Sequence, residues 1–260
     1  MQAAFRPEDR RAVEPLFAGF RGLHGILAAG LEGQGSLLTD HPLQPRCAVM
    51  TVGDFLVCGG VPGPSAVHLL REALRGEKRV WEACGSDDWL AVLGRVRRIC
   101  RHPRWAFDAA QPEDAHLRNI LSEPRGLTFV PLTGAWIGWC RAQAWARDFV
   151  ACYRDDDDFM RRGLGVLALL DGEPVAGAGA YLACRQGCEV QVQTREDCQG
   201  RGYATLSAAA MILAAHERGM FAFWDAANAA SARVAEKLGY RCLGAYPAAM
   251  VLPVARSIVI

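Results

Sequence analysis

The stretch Gln199-Gly200-Arg201-Gly202-Tyr203-Ala204-Thr205 decides the fold through what flanks it. Upstream lie three short segments of strand character, 165–170, 175–184 and 189–194, separated by the turns Asp171-Gly172-Glu173-Pro174 and Arg185-Gln186-Gly187. Downstream, the Ala-rich apolar run 206–216 predicts a helix. A glycine-bearing turn between a strand and a helix start is an anion site, because unpaired N–H groups converge there and the helix dipole favours negative charge. Gly200 and Gly202 carry no Cβ to keep a diphosphate from the backbone, and Arg201 adds a cation. By contrast, no helix follows Gly177-Ala178-Gly179, so a dinucleotide loop is rejected there.

The chain continues through a predicted strand, Phe221-Ala222-Phe223-Trp224-Asp225, to Asn228-Ala229-Ala230-Ser231 and a helix ending in Ala235-Glu236-Lys237-Leu238-Gly239-Tyr240. This order resembles the GNAT superfamily of N-acetyltransferases, whose Q/R-x-x-G-x-G/A signature matches Gln199 to Ala204. The segment from Asn228 to Tyr240 resembles that superfamily's final helix. Glu189-Val190-Gln191-Val192-Gln193-Thr194 and Trp224-Asp225-Ala226-Ala227-Asn228 resemble the branch that includes zwittermicin A resistance acetyltransferases, as do Asp40, Pro45 and Gly53-Asp54-Phe55 upstream. The likeness is strong over 155–245 and looser over the first half.

The resemblance implies an α/β GNAT fold, a mostly antiparallel sheet flanked by helices, and direct transfer from acetyl-CoA to a primary amine. Backbone groups of Val192, Gln193 and Thr194 would hold the pantetheine arm. Gln199, Gly200, Arg201, Gly202, Tyr203, Ala204 and Thr205 would hold the pyrophosphate, and Asn228 would contact the cofactor near its thioester.

Attack by an alkylammonium needs a base to free its lone pair. Glu189 is the first candidate. It stands ten positions before Gln199, the separation seen for the base in histone acetyltransferases of the superfamily, and shares a strand face with Gln191 and Gln193. Asp225 is the alternative base or amine anchor, and a solvent-facing strand carboxylate is the bland reading of Glu189. Many family members carry an acidic Tyr seven positions after the helix-start Asn, but here that residue is Ala235. Ser231 is the remaining donor, with helix capping an equally good role for it. Tyr240 is expected in the core, and His68 and His216 match no family role.

The first half, 1–125, is expected to be a smaller α/β lobe, a candidate degenerate GNAT-like unit, with the acetyltransferase domain over 126–260 and the boundary near Pro124-Arg125-Gly126. Residues 10–31 predict a helix, 48–52 and 55–58 two strands, and 64–104 a mainly helical stretch whose Arg95, Arg97, Arg98, Arg101 and Arg104 form a solvated face. Asp155-Asp156-Asp157-Asp158 reads as a helix cap and acidic first turn rather than a metal site, with Gly163 as the stop.

With 51% hydrophobic and 22% charged residues the chain is globular, and a net charge of +1 gives no footprint for nucleic acid or an anionic membrane. No apolar run reaches the roughly 18–20 residues of a membrane helix. The start Met1-Gln2-Ala3-Ala4-Phe5-Arg6 has no secretory pattern, so a cytoplasmic location is expected. The ten cysteines are scattered without a CxxC pair and read as reduced, mostly packed thiols, with no metal site. The expected partner is a small-molecule amine, and a homodimer is compatible with the sequence. Two other function classes compete with the enzyme: a non-catalytic acyl-CoA sensor, suggested by Ala235, and a tRNA-dependent transferase, opposed by the balanced charge.

Overall fold

Turn chemistry and alternation place most strands where the sequence puts them. The computed structural model describes residues 4–253. Met1–Ala3, on which the absence of a secretory pattern partly rests, lie outside the described residues. The chain divides into two compact units, one comprising the chain up to Arg21, Ile26–Arg104 and the chain from Ala245, the other Gly22–Gly25 and Trp105–Gly244. No helix among the described residues is long and apolar enough to cross a membrane.

The first unit opens with 3-10 turns over Arg10–Phe17, followed by α1 (His24–Leu31), whose first two residues count with the second unit. The expected single helix over 10–31 is therefore broken. Pro15 lacks the N–H an α-helical bond requires, and Gly22 is packed so tightly that an added Cβ would lie 2.6 Å from Ala106, in the second unit with it. Next come β1 (Ser36–Thr39), β2 (Cys47–Val52), β3 (Phe55–Gly60), α2 (Ala66–Ala73), β4 (Trp81–Cys84), α3 (Asp87–Gly94) and β5 (Ile99–Phe107). Strands β1, β2 and β3 pair antiparallel, and β4 runs parallel to β3. The core gathers Leu38, Val49, Leu56, Leu69, Leu70, Trp89 and Leu93.

Two expectations fail in this unit. The stretch 64–104 is not mainly helical but contains β4 and most of β5, whose few, charge-rich residues carry too little alternation to announce a strand. Nor do the arginines form one solvated helix face. Arg104 is buried on β5 with a guanidinium nitrogen 3.7 Å from Glu82, and Arg101 pairs with Asp87 at 2.7 Å.

The second unit adds α4 (Asp114–Leu121), β6 (Leu127–Pro131), α5 (Ala135–Ala142), α6 (Asp156–Arg162), β7 (Gly165–Leu170), β8 (Glu173–Ala183), β9 (Gly187–Thr194), α7 (Tyr203–Glu217), β10 (Phe221–Phe223), β11 (Asp225–Ala226), α8 (Ala229–Leu238) and β12 (Cys242–Val251). The last strand ends in the first unit, where it pairs antiparallel with β4. The sheet order is β10-β9-β8-β7-β6, antiparallel from β6 to β9 and parallel between β9 and β10. The end of β5 pairs antiparallel with β11. Helix α7 packs its buried Ala208, Ala209, Met211 and Ile212 into a core with Val166, Ala178, Val190 and Leu238.

The aspartate run is the cap the sequence predicts. Asp155 accepts a hydrogen bond from the Asp158 N–H at 2.8 Å, and Gly163 ends the helix. Asp158 in turn takes Arg161 and Arg162, whose hydrogen bonds, that of Arg162 foremost, hold its carboxyl well below the usual range. Gly177-Ala178-Gly179 lies inside β8, and Cys47, Cys58, Cys84, Cys140, Cys188 and Cys198 are buried. The Pro124-Arg125-Gly126 turn falls within the second unit, between α4 and β6.

Candidate functional site

All the candidate residues fall in the second unit, those of 189–205 along β9 and into the start of α7, Asp225 on β11, and Asn228 and Ser231 at the start of α8. Strand β10 pairs with β9 at only three positions, Phe221 with Gly187, Ala222 with Cys188 and Phe223 with Glu189. The chain then leaves the sheet at Trp224 and pairs through β11 with β5. Beyond Glu189, the β9 edge that faced β10 therefore has no ladder partner among the described residues, which opens backbone groups of 190–194. Val192, Gln193 and Thr194 are half-buried there, and the Thr194 Oγ1 is buried without a hydrogen-bond partner among the described residues.

The turn that follows has the conformation an anion cradle needs. Gly200 and Gly202 have φ of +77° and +82°, a region that favours glycine. Gly202 directly precedes α7, whose first N–H groups have no carbonyl within the helix to bond. The Gln199 side chain reaches back to the Thr194 carbonyl at 3.4 Å, and Tyr203 is buried against Leu206 and Ala176. A cleft of about 500 Å³ opens beside the turn, lined by Ser122, Arg125, Gly200, Gly202, Thr205 and Lys237 among others. Ala204 and Thr205 are half-buried in the first turn of α7, and Arg201 is exposed.

Arg125 is a residue that sequence reasoning missed. It holds φ of +54°, donates to the Arg201 carbonyl at 2.6 Å, and its guanidinium lies 2.6 Å from where a Cβ on Gly202 would stand. Along the sequence it belongs to the expected domain boundary Pro124-Arg125-Gly126, and no local pattern marks it as a site residue. Lys237, inside the KLGY segment, brings a second cation to the cleft.

Glu189 is not the solvent-facing carboxylate of the bland reading, for it is 4% exposed. Gln191 and Gln193 lie opposite Gly179 and Gly177, on the face where an added Cβ at Gly177 would come 2.9 Å from Phe149. Gly25 packs against Glu189 so closely that a Cβ there would stand 2.8 Å from Oε2. Asp225 is also buried, on β11.

The helix start is arranged differently from one expectation. Asn228, not Ser231, caps α8, its Oδ1 accepting from the Ser231 N–H at 2.9 Å. The Ser231 hydroxyl accepts from the Trp224 indole at 3.2 Å and keeps its own proton to donate. Ala235 is fully buried, and Tyr240 donates to the Ala222 carbonyl at 2.6 Å, its phenol pushed well above the usual range first by burial. His216 is held by Asp114 at 2.7 Å and Gln111 at 3.3 Å.

A family model described as GNAT acetyltransferase matches residues 14–249, nearly the whole chain. The chain belongs to the GNAT acetyltransferase family. Among solved GNAT structures, a GCN5-related N-acetyltransferase-like protein from Streptococcus suis is 29% identical, with a TM-score of 0.81 over 94% of this chain and 98% of that one. A GCN5-related N-acetyltransferase from Kribbella flavida shares the fold at 20% identity and TM-score 0.56, covering 90% and 97%. A tandem GNAT protein from the clavulanic acid biosynthesis pathway does so at 12% and 0.53, covering 94% and 92%. No curated protein matches the chain.

Proposed function

We propose that this GNAT protein transfers an acetyl group from acetyl-CoA to a primary amine of a small molecule by direct attack. The observation that carries the reading is the continuity of an open β9 edge with a glycine cradle at the start of α7. In this reading Val192, Gln193 and Thr194 pair with the pantetheine amides, Gln199 to Thr205 bind the pyrophosphate through backbone N–H groups, and Arg125 and Lys237 add charge beside it. Glu189 takes a proton from the acceptor ammonium, which frees the lone pair to attack the thioester. Asn228 orients the start of α8 toward the thioester end, and Ser231 can donate to the departing thiolate. A CoA thiolate leaves with little help, so Ala235 in place of the usual Tyr is compatible with turnover.

The chain fits the zwittermicin A resistance-type branch, with the first unit as a degenerate GNAT-like lobe, and a cytoplasmic location is in keeping with a soluble amine acceptor. Incubation with acetyl-CoA and a panel of amines should release free thiol. Glu189→Gln should lower kcat about 10²–10⁴-fold while calorimetric affinity for acetyl-CoA stays the same. Full activity in Glu189→Gln removes that residue from the mechanism. Tight cofactor binding with no turnover on any amine would instead favour the sensor reading that Ala235 invites.

A further inference from the structure

A buried general base must pass its proton on before the next cycle, and the structure offers one route out. The short segment Gly22–Gly25, which counts with the second unit, lies against the point where β9 and β10 part. Gly25 contacts Glu189 directly. The ring of the preceding residue, His24, packs on Phe223 with centroids 5.8 Å apart. Phe223 is the parallel-sheet partner of Glu189, so the two side chains project from the same face, with His24 beside them.

His24 is half-buried, yet its Nε2 is buried without a hydrogen-bond partner among the described residues. Leaving such a nitrogen unsatisfied costs stability, so its retention calls for a function. The other titratable neighbours cannot carry a proton away at neutral pH. The Cys188 thiol is raised mainly by burial and further by the Glu189 charge, the Tyr240 phenol is raised by burial, and its hydroxyl is committed to the Ala222 carbonyl. Asp225 lies two positions beyond Phe223 and is itself buried.

We propose that His24 relays the proton from Glu189 to solvent. The inference rests on the acetyltransferase reading with Glu189 as base. The acceptor N–H bond breaks and its proton goes to a Glu189 carboxylate oxygen. That O–H bond then breaks as a bridging water passes a proton to Nε2, and Nδ1 releases one to bulk water, so neither charge nor atoms accumulate. The half-buried ring stands beside Phe223, the ladder partner of Glu189, with one ring nitrogen buried and unpaired among the described residues, which is the placement a relay requires.

The test uses the full chain, acetyl-CoA and an amine that the wild-type protein acetylates, with kcat measured against imidazole concentration. His24→Ala and His24→Gln should each lose about tenfold or more in kcat at low buffer concentration. Imidazole should restore the His24→Ala activity, while the acetyl-CoA affinity and melting temperature of both variants stay at wild-type values. His24→Gln guards against a packing explanation, since it keeps bulk and a polar end but cannot exchange protons near neutral pH. A loss that imidazole leaves unchanged, or wild-type kcat in both variants, overturns the relay alone. A wild-type chain that binds acetyl-CoA but acetylates no amine overturns the acetyltransferase reading and the relay with it.

Discussion

The two units run through a similar order of elements, yet only the second joins an open strand edge to a glycine turn at a helix start. In the first, β1, β2, β3, α2, β4 and α3 follow one another; in the second, β7, β8, β9, α7, β10 and α8 do, with only the short β11 interposed, and in each case the next strand, β5 or β12, runs from one unit into the other. Each has three antiparallel strands, then a helix, then a strand parallel to the third, joined at only three positions. Their differences lie at the turn and at the parting of the strands. The connection from β3 to α2 is Val61-Pro62-Gly63-Pro64-Ser65, where two of five residues have no N–H to offer, and the Ala66 N–H is already bonded to the Gly63 carbonyl. The connection from β9 to α7 contains no proline and carries two glycines in the left-handed region.

The gap between the parallel strands differs as well. In the first unit Trp89, fully buried on α3, donates its indole N–H to the Gly60 carbonyl at 2.9 Å and lies against Gly85, filling the place where β3 and β4 separate. In the second, the corresponding edge of β9 stays open. One topology thus supports two outcomes, and a few side chains decide between a packed seam and a binding edge.

The comparison can be broken most sharply at Gly202. Gly202→Val places a β-branched residue at positive φ and drives its Cβ into the Arg125 guanidinium, so kcat/KM for acetyl-CoA should fall about 100-fold. A wild-type value would remove the cradle from the account. A smaller effect is expected at Gly187, where an added Cβ would stand 1.9 Å from the Phe221 carbonyl oxygen. Gly187→Ala should push β10 from β9 and cost about 1–3 kcal/mol of stability, read from denaturant midpoints. The smallest effect belongs to the first unit. Pro62→Ala with Pro64→Ala restores two N–H groups but leaves Trp89 in the gap, so acetyl-CoA affinity and stoichiometry by calorimetry should not change.

Much of the second unit was legible in the sequence because its signals are local. Period-two alternation, the turns at Asp171-Gly172 and Gln186-Gly187, the glycine turn and the Asp155 cap each act within a few residues. The first unit was harder to read. Strand β4 has four residues and β5 is laden with charge, so neither announces itself against a helical stretch, and the half-buried Glu82 with His102 at 2.8 Å and Arg104 at 3.7 Å exists only after the strands assemble. At the candidate site, Glu189, residues 192–194 and residues 199–205 are nameable from spacing and resemblance. Arg125, Lys237 and His24 could not, because they come from distant parts of the chain and meet the site only through the fold.

Amide hydrogen exchange with and without CoA tests most directly whether the second unit alone receives the cofactor, as proposed. Exchange should slow across 192–194 and 199–206 and remain unchanged across 60–66. Slowing at 60–66, or none at 199–206 under saturating CoA, would contradict the account.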